Sequence, residues 1–186
     1  LTGDHQKYGP VLSTGANSLA SRYSPITKTI RSWDHGSWQY PVIIDNMMNL
    51  EFLTQVSKMT GDKKFYDIAV SHAETTLKDY SSYHVIDYDK NTGKAIGKKT
   101  HQGAFDESAW SRGQGWALYG YTMMYRETKK KEFLKQAQQI AKYILNNPNL
   151  PADLVPYWDF DKDKIAQSDK MYPNKDLRDV SAAALY

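Results

Sequence analysis

Apolar residues recur at helical spacing along most of the chain, in two pairs of segments. Residues 42–56 are apolar on nearly every side and predict a buried helix, which ends near Gly61. Residues 62–78 carry apolar side chains on one face with charges between them, and they predict an amphipathic outer helix. The same order returns as a buried helix over 111–126 and an amphipathic helix over 131–145.

The two pairs also align with each other. Residues 60–69 match residues 128–137 at an offset of 68 positions, and Thr, Lys, Phe and Ala coincide. Together with the order of buried and amphipathic helices, this indicates repeated helical hairpins. An inner ring of buried helices inside an outer ring makes an all-α α/α barrel, and an α-solenoid would give a similar pattern.

Two connections interrupt the helices. Residues 83–100 alternate in polarity around an Asn-Thr-Gly turn and predict a short β-hairpin in a long connection. A second connection contains Pro148, Pro151 and Pro156. Residues 179–186 have a helical pattern, and the chain starts with neither a Met nor a signal peptide. We therefore expect both ends of the natural protein to be missing.

Composition is that of one globular domain over residues 1–186, with 40% hydrophobic and 24% charged residues. The net charge is +3 with scattered cations, so we expect no nucleic-acid partner, although the charge favours an anionic small substrate. No apolar run approaches the roughly 20 residues that cross a bilayer, so no membrane partner is expected. Compartment and oligomeric state stay open.

Several kinds of site are disfavoured by what the sequence lacks. There is no cysteine, and the five histidines are scattered without an HExxH pattern, so we expect no disulfide and no metal site. There is neither a glycine-rich phosphate loop after a strand nor a GxSxG element. No cofactor is expected.

Asp45 lies within the apolar segment VIIDNMMN. A carboxylate there is costly to bury, so it is either a structural acid paired with a neighbouring group or part of a polar pocket. Asn46 and Asn49 nearby favour the pocket.

Residues 101–116 bring acids, tryptophans, an arginine and a glutamine together where a connection enters a buried helix. Asp106 could cap that helix, but Ser108 could do so instead and leave Asp106 free. Arg112 suits a substrate carboxylate, or a core ion pair with an aspartate. The chain's 14 Tyr and 5 Trp could fill the core or stack on sugars.

These motifs resemble the unsaturated glucuronyl hydrolases, glycoside hydrolase family 88. The matching segments follow the family's order across nearly the whole chain and comprise residues 31–34, 40–51, 82–89, 100–103, 106–116, 156–161 and 178–184. The resemblance implies an (α/α)6 barrel, of which this chain is an incomplete portion. It also implies that the family's two catalytic aspartates fall on Asp45 and Asp106.

The implied reaction removes a 4,5-unsaturated uronic acid from the non-reducing end of lyase-generated, glycosaminoglycan-type oligosaccharides by hydrating the C4=C5 bond. Asp106 would protonate C4 and activate water, and Asp45 would stabilise the developing positive charge. The candidates for substrate binding are Arg178, Arg112, His84, Gln114, Trp110, Trp116 and Trp158. The alternatives are an unsaturated rhamnogalacturonyl hydrolase acting on pectin fragments and a non-catalytic helical-repeat carbohydrate-binding protein.

Overall fold

The computed structural model describes residues 5–79 and 83–186. Residues 1–4 and Ser82, the first residue of one matching segment, lie outside this part. The helices of the described part are α1 (His5–Ala20), α2 (Asn46–Thr60), α3 (Lys63–Asp79), α4 (Ser111–Thr128), α5 (Lys131–Leu145) and α6 (Val180–Ala183). Its strands are β1 (Tyr23–Ser24), β2 (Thr29–Ile30), β3 (Pro41–Ile43), β4 (Val85–Tyr88) and β5 (Ala95–Lys99).

Two helical hairpins, α2–α3 and α4–α5, form the body of the fold, as the periodicity predicts. The first helices of the two hairpins, α2 and α4, pack against each other, and α3 and α5 flank them. On α5 the buried positions are Phe133, Ala137, Ile140 and Ile144, spaced four, three and four residues apart. This is one stripe of an amphipathic helix, and it faces the shared hydrophobic core.

The first buried helix begins later than predicted. It starts at Asn46, because Pro41–Ile43 forms strand β3 at the edge of an antiparallel sheet ordered β3-β4-β5. Val42, Ile43 and Ile44 are β-branched, which favours extended backbone over helix. The β4–β5 hairpin confirms the one predicted for residues 83–100.

Helix α1 was not predicted, since its sequence contains two glycines and Pro10 and is weakly apolar. It packs on α2, where a Cβ at Gly15 would lie 3.3 Å from the Phe52 ring. At the other end the predicted helix is short, because α6 covers only Val180–Ala183. Asp179 caps it by accepting from the Ala182 N–H at 2.9 Å.

Within residues 5–79 and 83–186, no helix combines the length and apolar character needed to cross a membrane.

Candidate active site

Asp45 stands at the junction between β3 and α2. Its backbone is helical (φ −59°, ψ −25°), and its side chain makes no capping hydrogen bond to α2. The junction between strand and helix therefore places the carboxylate at the start of an inner helix, where it accepts no hydrogen bond from the N–H groups of that helix. Only 15% of the side chain is exposed.

The partner that faces Asp45 is His84, which immediately precedes β4. Its Nε2 lies 3.4 Å from Asp45 Oδ2. Its Nδ1 accepts from the backbone N–H groups of His101 and Gln102, each at 3.1 Å. Because Nδ1 is an acceptor, the neutral ring carries its proton on Nε2, towards the carboxylate.

The pair is close but does not form an aligned hydrogen bond. Asp45 Oδ2 and His84 Nε2 are both buried, and neither has a hydrogen-bond partner among the described residues. A buried polar atom without a partner is uncommon and needs an explanation. In apo enzymes, catalytic hydrogen bonds are often long and tighten only when substrate is bound.

Asp106 lies in the loop of residues 100–109, on the surface. Its Oδ1 accepts from the Thr100 N–H at 3.0 Å, so the carboxylate braces the loop and does not cap α4. The next two N–H groups of the same loop are the donors to His84. The two aspartates are thus linked through His84 and three consecutive backbone amides.

Trp110 and Arg112 extend the cluster from the start of α4. The Trp110 ring centre lies 4.7 Å from that of His84, and the Arg112 guanidinium sits 5.0 Å from the Trp110 ring centre. Arg112 also donates to Gln102 Oε1 at 3.2 Å and lies 3.6 Å from Asp179 Oδ2. Trp110 is 3% exposed, so in this structure its contacts support the site and leave little ring surface for a sugar.

A cavity of about 410 Å³ adjoins Arg112, and two other predicted residues, Trp158 and Arg178, line it. It is lined by Arg112, Trp158, Met171, Asn174, Leu177, Arg178, Asp179, Val180 and Ser181. Arg178 donates to the Val155 carbonyl at 2.7 Å, pairs with Asp153 and lies over the Tyr157 ring. Two arginines and an indole at one cavity suit an anionic sugar.

Gln114 and Trp116 lie elsewhere on α4. Gln114 is 4% exposed and lines a separate cavity of about 820 Å³ beside α5. Trp116 packs edge-on against Tyr119 at 6.4 Å. The structure therefore brings seven of the nine predicted residues to one region, and these two are not among them.

Three residues of the site were missed by the sequence reasoning. Gln102 contacts both His84 and Arg112, Asp179 pairs with Arg112, and the wholly buried Asp159 holds the 100–109 loop. Gln102 and Asp159 lie within the matching segments 100–103 and 156–161, and Asp179 within 178–184. The segments that contain these three residues were identified from the sequence, but the residues that they contact belong to other elements.

No group of three or more His, Cys, Asp or Glu side chains that could hold a metal ion occurs in the described part of the chain.

Paired inner and outer helices, with Asp45 and Asp106 near the starts of the two inner helices, define a protein of the α/α-barrel class. Residues 27–146 match the family model described as Glycosyl Hydrolase Family 88. The chain belongs to this family, and its fold is that of the (α/α)6 barrel.

Two curated relatives and one solved structure illustrate the similarity. An unsaturated glucuronyl hydrolase from Formosa agariphila is 47% identical over 98% of this chain and 45% of its own length. An unsaturated chondroitin disaccharide hydrolase from Streptococcus pneumoniae is 38% identical over 86% of this chain and 41% of its own length.

One solved structure similar to this chain is a crystal structure of an unsaturated glucuronyl hydrolase specific for heparin. It superposes with a TM-score of 0.86 at 48% identity, covering 99% of this chain and 48% of that one. This chain spans about half the length of the curated relatives it matches.

Proposed function

We propose that the protein containing this chain is a glycosidase that removes 4,5-unsaturated uronic acid from the non-reducing end of glycosaminoglycan-derived oligosaccharides. Family membership and the names of the relatives support this class of activity. The observation that carries the proposal is the buried, unsatisfied Asp45 carboxylate oxygen facing a histidine N–H at 3.4 Å.

The reaction is hydration of a vinyl ether. A carboxylic acid protonates C4, which leaves positive charge shared between C5 and the ring oxygen. The same group, now a carboxylate, takes a proton from the water that adds to C5. The hemiketal so formed opens, and the glycosidic bond breaks as the reducing oligosaccharide leaves.

The geometry favours Asp45 for the proton transfers, whereas the sequence reasoning gave them to Asp106. A group that exchanges protons with a substrate needs a carboxyl oxygen that the protein itself does not already engage. Asp45 Oδ2 faces His84 with no hydrogen-bond partner among the described residues, while Asp106 Oδ1 accepts from the Thr100 N–H. The His84 N–H would stabilise the Asp45 carboxylate after it gives up its proton.

Asp106 would then act as the second carboxylate, stabilising the developing positive charge from the adjacent loop. The uronate carboxylate would be bound by Arg112 or Arg178, which share a cavity with Trp158. Gln114 and Trp116 remain predicted sugar contacts that await a bound substrate.

The test uses the full-length protein with unsaturated disaccharides from chondroitin and heparin, and with unsaturated pectin fragments. Hydration removes the double bond, so its ultraviolet absorbance should decay with the wild type. We expect Asp45→Asn to slow this decay on the order of 10²–10⁴-fold. Asp67→Asn, an exposed change on α3, is the matched control and should leave the decay unaltered.

Other outcomes assign the site differently. Full activity in Asp45→Asn, with loss of activity in Asp106→Asn, would return the proton transfers to Asp106. Decay with pectin fragments alone would identify a rhamnogalacturonyl hydrolase, which the relatives do not favour. Binding without decay by the wild type would make the protein a carbohydrate-binding module and overturn the proposal.

A further inference from the structure

Asp159 is a wholly buried carboxylate in the connection between α5 and α6, with 0% of the residue exposed. Its Oδ2 accepts from the Ala104 N–H at 2.9 Å and from the Ser108 hydroxyl at 2.7 Å. Its Oδ1 accepts from the Asp161 N–H at 2.9 Å. Burial raises the pKa of Asp159, and these three donors work against that rise.

The segment around Asp159 holds the far end of the 100–109 loop as well. Asp161 Oδ2 accepts from the Ala109 N–H at 2.9 Å, and the Ala109 carbonyl accepts from the Phe160 N–H at 3.0 Å. The loop is therefore bound to one distant segment at three positions: Ala104, Ser108 and Ala109.

The loop also fits closely around the Asp159 carboxylate. A Cβ placed on Gly103 would lie 3.3 Å from Asp159 Oδ2 and 2.6 Å from Thr100 Oγ1. The Thr100 hydroxyl accepts from the Gly103 N–H at 2.7 Å, which ties the start of the loop to its middle. A single residue, Gly103, thus connects the Ala104 N–H that Asp159 binds to the Thr100 hydroxyl.

Three backbone N–H groups of this loop contact residues of the proposed site. The Thr100 N–H binds Asp106, and the next two N–H groups bind His84 Nδ1. These two donors hold the ring in the tautomer whose Nε2–H faces Asp45. The geometry points to Asp159 as a positioning residue: by fixing the 100–109 loop, it sets the place of Asp106 and the tautomer of His84. The inference rests on the proposed function.

The experiment compares three variants of the full-length protein on an unsaturated disaccharide. Asp159→Asn replaces one acceptor oxygen by a donor, so at least one of the three bonds is lost. Ser108→Ala removes only the hydroxyl that bridges to Asp159. Asp163→Asn alters a carboxylate two residues from Asp161 that is 60% exposed and paired with Lys162, and it serves as the control.

We expect Asp159→Asn to lower kcat on the order of 10²-fold with a much smaller change in KM, because misplaced catalytic groups affect the chemical step. The pH profile of kcat should shift, since the 3.4 Å contact between His84 Nε2 and Asp45 Oδ2 would change. Ser108→Ala should lower kcat less, with a shift in the same direction. Asp163→Asn should match the wild type in kcat, KM and pH profile.

The inference is overturned if folded Asp159→Asn keeps the kcat and pH profile of the wild type, or if only KM rises. Circular dichroism establishes whether that variant folds. Should it not fold, Ser108→Ala decides in its place: an unchanged pH profile there would overturn the inference. Failure of the proposed function is a separate result, because then the wild type itself would give no decay.

Discussion

Two histidines are buried in the part of the chain that the structure describes, and their ring nitrogens are used in opposite ways. His84 faces a carboxylate, whereas His72 on α3 accepts from the Ile30 N–H at 3.0 Å through Nδ1, and its Nε2 has no hydrogen-bond partner among the described residues. The first ring suits chemistry, and the second is a neutral element of the core. Burial alone does not distinguish the two rings, because the difference lies in the groups that face their nitrogens.

We expect the free energy of unfolding to fall as pH drops below 6.5, because burial lowers the pKa of His72 from 6.5 to about 3. The unfolded chain binds a proton on this ring in that window and the native chain does not, so the stability present above pH 6.5 is lost towards pH 3. Between pH 7 and pH 5 the loss from this group is about 2 kcal/mol. Urea unfolding at both pH values measures it.

His72→Gln is the matched variant for this measurement. It should be less stable than the wild type at pH 7, since the core contact is altered, but it should lose less on acidification. An equal acid loss in both proteins would show that other groups cause the pH dependence.

At the scale of elements, α2 and α4 pack closely where Gly120 meets Met47. A Cβ on Gly120 would lie 2.5 Å from Met47 Cβ, which belongs to the stiff base of the side chain and cannot swing aside. A glycine therefore sets the spacing of the two inner helices. Gly9 on α1 differs, because among the described residues no atom beyond its chain neighbours and its own helix backbone lies within 4 Å of the position its Cβ would occupy.

The same substitution at these two glycines should have opposite effects. Gly120→Ala should destabilise the protein by about 1–3 kcal/mol through overpacking. Gly9→Ala should stabilise it by up to about 1 kcal/mol, because alanine is the better helix former. Chemical denaturation of both variants checks the pair. Destabilisation by both would mean that α1 is more constrained than its open surroundings indicate.

How far the sequence predicts these elements depends on where their stability comes from. The hairpins α2–α3 and α4–α5 follow from apolar spacing, since each helix buries a face that its own residues define. Strand β3 was placed in a helix because its pairing with β4 comes from residues more than 40 positions away. Helix α1 has no strong apolar face and forms through packing on α2.

At the scale of the whole molecule, stability should be uneven. Helices α2, α3, α4 and α5 each place four residues in the buried core, while α1 places only Ala16 there and its residues are largely exposed. In native-state hydrogen exchange of the full-length protein, amides of α2 and α4 should exchange roughly tenfold or more slowly than those of α1. Equal protection of α1 and α4 would contradict this distribution of the core.

The candidate site was partly predictable, because some of its residues lie in short sequence motifs while their contacts join distant segments. His84, Trp110 and Arg112 belong to short motifs, and their chemical types pointed to a site before their contacts were known. The exposure of Asp106 and the partner of Asp45 could not be predicted, since they depend on how a loop and a strand meet. Asp159 could not be assigned a role, because two of its three hydrogen-bond donors lie about 50 positions earlier in the chain.

That separation in sequence has a consequence for synthesis. The ribosome makes residues 100–109 well before residues 157–161, so the nascent loop has nothing to fasten to until the later segment emerges. Both helical hairpins can collapse during this interval, since their sequences are already complete. The proposed site is therefore assembled late in the synthesis of this part of the chain.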